Sequence, residues 1–160
     1  MSKPLSGPSE RVTLTLGRLL LIAAGLVLLC FLSMQLISVP HDNPPVLREP
    51  KWDSPQTRAL AQRACFDCHS NQTVWPWYSY VAPVSWAVAH NVEEGRARLN
   101  FSEWGMSGGE GGEGGGEMTE VILSGQMPPA DYVAQHPTAQ LTDAEKQQLA
   151  AGLAKSLSQP

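Results

Sequence analysis

Residues 65–69 read CFDCH, and the aromatic-rich stretch SNQTVWPWYSY (70–80) follows directly. The chain has three cysteines, and two of them stand here, with two residues between them and a histidine immediately after. Four kinds of site share this spacing: a disulfide, a zinc site, a thiol redox motif and a covalent c-type haem site. The sequence has no second ligand pair at zinc-finger spacing and no βαβ pattern around the motif, which disfavours the zinc and the redox alternatives.

C-x-x-C-H is the sequence signature of c-type haem attachment. Each thiol adds to one vinyl group at the porphyrin edge, and two intervening residues let both sulfurs reach that edge from a single helical turn. The adjacent histidine then coordinates the iron as the proximal ligand. The sequence therefore predicts one covalently attached haem c, bound through Cys65 and Cys68, with His69 on the iron.

The residues before the motif have a helical pattern. Ser54 followed by Pro55 is typical of a helix start, with an N-cap residue and a proline at the first helical position. We expect this helix to run from Pro55 into the motif. Leu60, Ala64 and Cys68 should then share one face, because they are spaced four residues apart.

Three later segments have helical patterns as well. A helix starting at Pro83 would carry four apolar residues on one face. These are Val84, Val88, Val92 and Leu99. MTEVILSG (118–125) predicts two helical turns ended by Gly125, and TDAE (142–145) is a capping box that opens a final helix. The final helix carries a stripe of leucines at positions 149, 153 and 157.

No segment shows the alternation of apolar and polar residues that is expected of a strand. The stretch SGGEGGEGGGE (107–117) predicts a flexible surface loop, because glycine loses the most entropy on ordering. Its acidic residues, Glu110, Glu113 and Glu117, would repel a phosphate. The sequence therefore predicts an all-α fold, with a small helical domain over residues 54–160 that contains long loops.

A long uncharged stretch precedes this domain, from Leu19 to Val39. As a helix it would be about 31 Å long at roughly 1.5 Å per residue, which is enough to cross a bilayer core. The alternative is a cleaved signal peptide, whose apolar region is usually only about 7–15 residues long and ends in small residues. We find no convincing cleavage site, so the sequence predicts an uncleaved anchor over 19–39.

The charges on either side of the span predict its orientation. Lys3, Arg11 and Arg18 precede it, and basic flanks stay in the cytoplasm, so we expect residues 1–18 to be cytoplasmic and the C-terminal domain to be periplasmic. The Pro-rich segment 40–53 reads as a semi-rigid linker that lifts the domain off the membrane. From His41 onward there are 8 basic and 14 acidic residues, so this acidic part gives no reason to expect nucleic acid as a partner, since phosphate binding needs basic patches.

Three longer stretches resemble the bacterial haem-binding domain family, a group of small, exported, cytochrome c-like domains that are often anchored by one span. They are CFDCHSNQTVWPWYSYVAPVSW (65–86), EGRARLNFSEW (94–104) and SGQMPPADYVAQHPTAQLTDAEK (124–146). The resemblance covers roughly residues 50–157 and implies covalent haem through Cys65 and Cys68, with His69 on the iron. It also implies a G-x-M-P-P element, which is met here by residues 125–129. The Gly/Glu run at 108–116 departs from the family pattern.

Five side chains are candidates for the second axial position on the iron: His90, His136, Met106, Met118 and Met127. His90 lies on the helix face opposite the valines, where a histidine is typically solvated. His136 stands in a polar loop, and the first two methionines flank the glycine-rich stretch. Pro128 restricts Met127 to an extended conformation, and the two prolines limit the freedom of the loop, so we expect Met127 to be the ligand.

Aromatic residues crowd the stretch after the motif: Trp75, Trp77, Tyr78, Tyr80 and Trp86. We expect most of them to pack in the core, where they would also provide apolar walls for a haem. A Trp N–H or a Tyr O–H among them could bond a haem propionate, and the sequence does not indicate which.

The sequence thus predicts a monohaem c-type electron carrier, anchored in the bacterial inner membrane by residues 19–39 and facing the periplasm. Its expected partners are membrane or periplasmic redox proteins. Three alternatives stay open: a haem-based sensor or ligand-binding module, a haem subunit of a larger membrane oxidoreductase complex, and a peroxidase-like enzyme. No Ser/His/Asp or paired-carboxylate arrangement indicates catalysis, so we do not expect an enzyme.

Overall fold

The structure is a computed structural model that describes residues 8–106 and 115–157. Within these residues the regular structure is helical, without strands, which confirms the predicted all-α fold. The α-helices are α1 (Pro8–Met34), α2 (Pro55–Ala64), α3 (Phe66–His69), α4 (Val84–Arg98), α5 (Gly115–Leu123), α6 (Ala130–Gln135) and α7 (Asp143–Leu157), and 3₁₀ turns span Trp77–Tyr80 and Pro137–Ala139. Most of the predicted glycine-rich loop, residues 107–114, lies outside the described residues, and from Gly115 the chain is helical.

The helix starts predicted at Ser54 and at Thr142 are confirmed by their capping bonds. The amide of Thr57 donates to Ser54 Oγ at 3.2 Å, and Pro55 is the first residue of α2. At α7 the Thr142 amide donates to Glu145 Oε2 at 2.8 Å, and the Glu145 amide donates back to Thr142 Oγ1 at 3.3 Å. These reciprocal bonds satisfy backbone donors that a helix start otherwise leaves unpaired.

The expectation of one continuous helix into the motif is wrong. α2 ends at Ala64, because Cys65 has φ −129° and leaves the helical region. The motif then forms its own turn, closed by the His69 amide donating to Cys65 O at 2.8 Å. This break lets Phe66 turn into the core, where its ring stacks on Phe101 at a centroid distance of 5.5 Å. Cys68 is consequently only partly buried, whereas Ala64 is buried.

The core is one cluster of apolar residues between α2, α3, α5 and α7. Its buried members are Leu60, Ala61, Ala64, Phe66, Phe101, Ile122, Leu141, Leu149, Ala150 and Leu153. Gly152 lets α7 approach α2 closely: a Cβ there would lie 2.6 Å from Thr57 Cγ2 and 2.8 Å from Asp53 Oδ1. The predicted leucine stripe of α7 therefore faces the core at Leu149 and Leu153.

The buried face of α4 differs from the predicted valine face. Val92 is buried, but Val84 is 48% exposed. The other buried positions of α4 are the small residues Ser85 and Gly95. At Gly95 the reason is that α4 packs directly on the backbone of α3, where a bulky side chain would hold the two apart.

α1 is long and apolar enough to cross a membrane. Its segment Thr15–Met34 has a mean hydropathy of 2.3, and none of it is buried against the rest of the described chain. A signal sequence near an N-terminus would share these properties. The helix ends at Met34, before the predicted limit of the anchor at Val39.

The segment after α1 lies against the domain rather than acting as a free spacer. Asn43 Nδ2 donates to Thr73 O at 2.9 Å, and Arg96 Nη1 donates to Asp42 O at 3.0 Å. Farther along, the Leu47 and Arg48 amides both donate to Ser102 O, at 2.9 and 3.0 Å. The predicted linker thus forms part of the folded unit, because its backbone polar groups bond to the domain.

Candidate haem site

His69 is held on several sides by the segment that follows α4. Its Nδ1 lies 2.9 Å from Gly95 O and 3.2 Å from Leu99 O, and its backbone oxygen accepts from the Phe101 amide at 2.8 Å. A carbonyl oxygen can only accept, so Nδ1 carries the proton and Nε2 keeps a lone pair. Metal-bound histidines typically donate their other ring N–H in this way, which fixes the tautomer and the ring orientation.

The electrostatics of His69 favour an uncharged ring. Burial lowers the pKa of His69, and the carbonyls of Leu99 and Gly95 offset part of that shift. The net effect favours the neutral ring, the form that coordinates a metal. His69 is therefore both oriented and uncharged, as an axial ligand must be.

Cys65 and Cys68 both precede this histidine, and their thiols are unpaired. Burial raises the pKa of Cys65 to about 12 and that of Cys68 to about 11, with Asp67 adding to the second shift. Redox-active cysteines have lowered pKa values instead, so this environment disfavours a thiol redox motif. Among the described residues, no group of three or more His, Cys, Asp and Glu side chains is arranged to hold a metal ion directly.

Gly95 is the closest contact between α4 and the motif. A Cβ at this position would overlap Cys68 O and lie 2.9 Å from Cys68 C and 3.0 Å from Cys68 Cβ. No side chain fits at these distances, so the absence of one lets the Gly95 carbonyl reach His69. Glycine costs helix stability in a helix interior, and here the close approach explains its presence.

We expect Gly95→Ala to lower the free energy of unfolding by about 1–3 kcal/mol, since the added methyl group forces α3 and α4 apart. Urea denaturation would measure this loss. Gly116→Ala in α5 is the matched control, because nothing lies within 4 Å of a Cβ at that position. The control should be neutral or stabilising, and equal effects of the two changes would contradict the close contact.

A polar network fixes the residues after His69. The backbone amide of Asn71 donates to Ser102 Oγ at 2.9 Å, and Asn100 Nδ2 donates to the Asn71 side chain at Oδ1, also at 2.9 Å. Asn71 Nδ2 in turn donates to Glu103 Oε1 at 2.9 Å. Most of these groups are buried and all are bonded, so the network rigidifies the loop that carries His69.

Asp67, between the two cysteines, connects the motif to α6. Its Oδ1 accepts from the Val74 amide at 2.9 Å and its Oδ2 accepts from Tyr132 Oη at 2.7 Å. The Tyr132 ring stacks on His136 at 4.2 Å, and His136 Nε2 lies 3.3 Å from Tyr78 Oη. Burial and the bond to Asp67 both raise the pKa of Tyr132, so its hydroxyl stays protonated and donates.

The other four candidate ligands differ in exposure and in hydrogen bonding. Both ring nitrogens of His136 have hydrogen-bonding neighbours, Tyr78 Oη and Tyr132 O, which gives this histidine a structural role. His90 is exposed, as expected from its helix face. Met106 is 57% exposed, and Met118 packs against the core.

Met127 lies in the turn that leads into α6. Its amide donates to Val121 O at 3.0 Å, and Gly125 before it has φ +75°, which glycine adopts without strain. The Met127 side chain is partly buried and borders a cavity of about 170 Å³, which Val133, Leu141 and Lys146 also line. Tyr132 of α6 donates to Asp67. The short helix α6 therefore connects the turn at 127–129 to the motif.

One aromatic side chain has an unused donor. Trp75 Nε1 is buried and finds no hydrogen-bond partner among the described residues. A buried donor without an acceptor is costly, so we expect a water or a ligand group to bond it. A carboxylate such as a haem propionate would supply one, which distinguishes Trp75 from the other aromatic residues of this stretch. The donor set of the site therefore fits a haem.

Sequence reasoning did not identify three residues that shape this site: Asp67, Gly95 and Tyr132. A glycine inside a helix is unfavourable, and this signal could have pointed to Gly95. Asp67 and Tyr132 meet across 65 positions of sequence, and nothing in either local pattern indicates the pairing.

The comparisons with known proteins agree with this geometry. The haem-binding domain family matches residues 29–155, a range that begins inside α1 and includes the segment bonded to the domain. Neither the curated proteins nor the solved structures contain a significant match. Because the match covers most of the chain and includes the oriented histidine with its two thiols, this chain belongs to the haem-binding domain family.

Proposed function

We propose that the chain is a membrane-anchored, monohaem c-type cytochrome that transfers electrons on the periplasmic side of the bacterial inner membrane. The observation that carries the proposal is the state of His69. Its Nδ1 proton is bound by two backbone carbonyls, and two unpaired thiols lie within four residues of it. A c-type haem needs this set of groups: one oriented neutral imidazole and two thiols on one turn.

Each residue has a part in holding the cofactor. Cys65 and Cys68 would form the two thioether bonds, His69 would be the proximal ligand, and Met127 would be the second axial ligand. Haem, when bound, supplies an iron that changes by one electron between its ferrous and ferric states. The buried surroundings of His69 and its hydrogen bonds would tune the potential, because axial ligands and their partners set it.

The anchor contributes to function by confinement. α1 would keep the domain beside membrane oxidoreductases, which raises the effective concentration of each partner for the other. Since electron transfer needs no open coordination position, a filled sixth position distinguishes this function from the sensor, ligand-binding and peroxidase alternatives. A sensor, a ligand-binding module and a peroxidase all need a position that opens to a small ligand.

Absorption spectra of the ferrous protein with and without carbon monoxide test the proposal. We expect carbon monoxide to leave the spectrum nearly unchanged over minutes, because Met127 would occupy the position that the gas needs. A rapid and complete spectral shift would show an open position and would favour the sensor or the peroxidase instead. The Met127→Ala variant is the positive control, since it should bind the gas rapidly.

A further inference from the structure

The end of α1 is bonded to one face of the domain. Gln35, the first residue after the helix, donates from Nε2 to Ala82 O at 3.1 Å and accepts at Oε1 from the Ala82 amide at 3.0 Å. Two residues later, Ile37 O accepts from Trp86 Nε1 at 3.3 Å. The segment 79–86 is therefore held at the point where the apolar helix stops.

This face carries exposed aromatic and apolar side chains. Trp77 is 79% exposed, Tyr80 is 61% exposed and Val84 is 48% exposed. Trp77 and Tyr80 are the first and last residues of one 3₁₀ turn, in which residues three apart point the same way. The Tyr80 ring also stacks on His41 at 4.2 Å, which fixes it near the start of the linker. We call Trp77, Tyr80, Val84 and Trp86 the aromatic face.

Within this 3₁₀ turn, Tyr78 rather than Trp77 or Tyr80 joins the hydrogen-bonded groups around the motif. Tyr78 lies a third of a turn from Trp77 and Tyr80 around the 3₁₀ axis. Tyr78 Oη lies 3.3 Å from His136 Nε2. The His136 ring stacks on Tyr132, whose hydroxyl donates to Asp67 of the motif. The Trp77 ring nevertheless meets Tyr78 edge-on at 5.9 Å, and His41 lies between Tyr80 and Trp75. We therefore expect a haem at Cys65 and Cys68 to leave the exposed edges of Trp77 and Tyr80 uncovered, and the Trp77→Ser spectrum checks this.

The dimensions place this face at a membrane surface if α1 spans the bilayer. Thr15–Met34 would be about 30 Å long as a helix, which equals the usual thickness of the hydrocarbon core. Its end then lies at the boundary with the headgroups, a layer roughly 5–8 Å deep on each side. Gln35 and Ile37 are within three residues of that boundary, or about 10 Å at most.

We propose that the aromatic face lies in the headgroup layer of the bilayer that α1 spans, with Trp77, Tyr80 and Trp86 as its interfacial anchors. The proposal rests on the proposed function in one respect, the uncleaved anchor. Trp and Tyr are the residues enriched at membrane–water interfaces, because they combine an apolar ring with a polar group. The bonds of Gln35 and Trp86 to their partners would hold the domain in one orientation, so the haem motif would face a fixed direction relative to the membrane.

The linker contacts also indicate which end of α4 lies away from the membrane, in water. Residues 35, 37 and 42–43 bond to Ala82, Trp86 and Arg96, while His41 between them lies 2.7 Å from Ser79 O, so the linker runs beside both α4 and the turn Trp77–Tyr80. Arg98, at the far end of α4, is about 21 Å from Val84 along the helix axis. Its side chain is 78% exposed, and it is expected to face water.

Spin-label accessibility in the full-length haem protein tests this orientation. A nitroxide would be attached at Val84→Cys or at Arg98→Cys, each in a Cys30→Ala background and in phosphatidylcholine nanodiscs. Oxygen concentrates in lipid and a polar nickel chelate stays in water, so the ratio of the two collision rates reports depth. We expect the ratio to be several-fold higher at position 84 than at position 98. Adding Trp77→Ser and Tyr80→Ser should bring position 84 closer to position 98.

The outcomes separate this inference from the proposed function. Equal ratios at the two positions, in an intact chain that carries haem, would overturn the inference and leave the cytochrome proposal standing. A wild-type chain that carries no haem would overturn the cytochrome proposal, and a high ratio at position 84, measured then with Cys65 and Cys68 also replaced by alanine, would leave the inference standing. A changed haem spectrum on Trp77→Ser would mean that haem covers this residue, which also overturns the inference. If the double serine variant does not fold, the comparison of positions 84 and 98 decides alone.

Discussion

Replacing Cys65 and Cys68 together with alanine is expected to abolish covalent haem completely. The two thiols are the only groups of the motif that can form thioether bonds, and both stand unpaired beside the oriented His69. Without them a haem could be held only by coordination and packing, which denaturation removes. A haem stain after denaturing electrophoresis should fall to background in this variant. The double variant should also have a lower free energy of unfolding than the haem-bound wild type, since a bound porphyrin would add apolar surface to a small core.

Cys30→Ala is the matched control for this experiment. Cys30 lies in α1 and is exposed there, far in sequence from the motif, so its loss should leave the stain unchanged. Each single replacement at the motif should leave one bond and a weaker stain. If the double variant keeps the full stain, the attachment site is elsewhere and the interpretation of the motif is wrong.

The second large effect is expected at Met127. Met127→Ala should open the sixth position, admit carbon monoxide and lower the reduction potential by on the order of 0.1 V, because a thioether favours ferrous iron and axial ligands tune the potential over about 0.8 V. Met127→His should restore six-coordination at a potential below that of the wild type. Redox titration and magnetic circular dichroism of the ferric forms would measure both changes.

His90→Ala serves as the control for the ligand assignment. His90 is exposed, so its removal should leave the ferric spectrum and the potential nearly unchanged. The opposite pattern, in which Met127→Ala keeps the wild-type spectrum and His90→Ala loses it, would make the domain a bis-histidine cytochrome. Lys146 borders the Met127 cavity, so a lysine-ligated spectrum in Met127→Ala would mark replacement of the ligand rather than retention of it.

Local chemistry in the sequence predicts the helix starts well. The N-cap at Ser54 and the capping box at Thr142 and Glu145 depend on residues a few positions apart, so the pattern and the bonds coincide. The same holds for Gly125, whose positive φ follows from the end of α5. Such features need no knowledge of the rest of the chain.

Features that depend on tertiary contact were predicted less well. The valine face of α4 is confirmed at Val92 but not at Val84, because α4 meets the backbone of α3 through Gly95 and periodicity alone favours bulky apolar residues. The motif helix was expected to be continuous with α2, but burial of Phe66 against Phe101 breaks it at Cys65. In both cases a long-range contact overrides the local pattern.

Part of the candidate site could likewise be predicted from local sequence, and part depends on tertiary contacts. Cys65, Cys68 and His69 lie within five residues, and their spacing together with the helical, exported context predicted the cofactor. The groups that orient His69 come from Gly95 and Leu99, 26 and 30 residues away, and only the fold brings them there. The linker shows the same limit, because its composition indicates a spacer while its hydrogen bonds to Thr73 and Arg96 hold it on the domain.

The most direct test of the account is the mass of the purified full-length chain under denaturing conditions, combined with the pyridine haemochrome spectrum of the same sample. The account predicts a mass equal to the polypeptide, with or without its first methionine, plus one haem. It also predicts a reduced spectrum typical of a haem whose two vinyl groups are both saturated as thioethers. A chain of polypeptide mass alone, or haem that acid–acetone extracts from it, would contradict covalent attachment at Cys65 and Cys68.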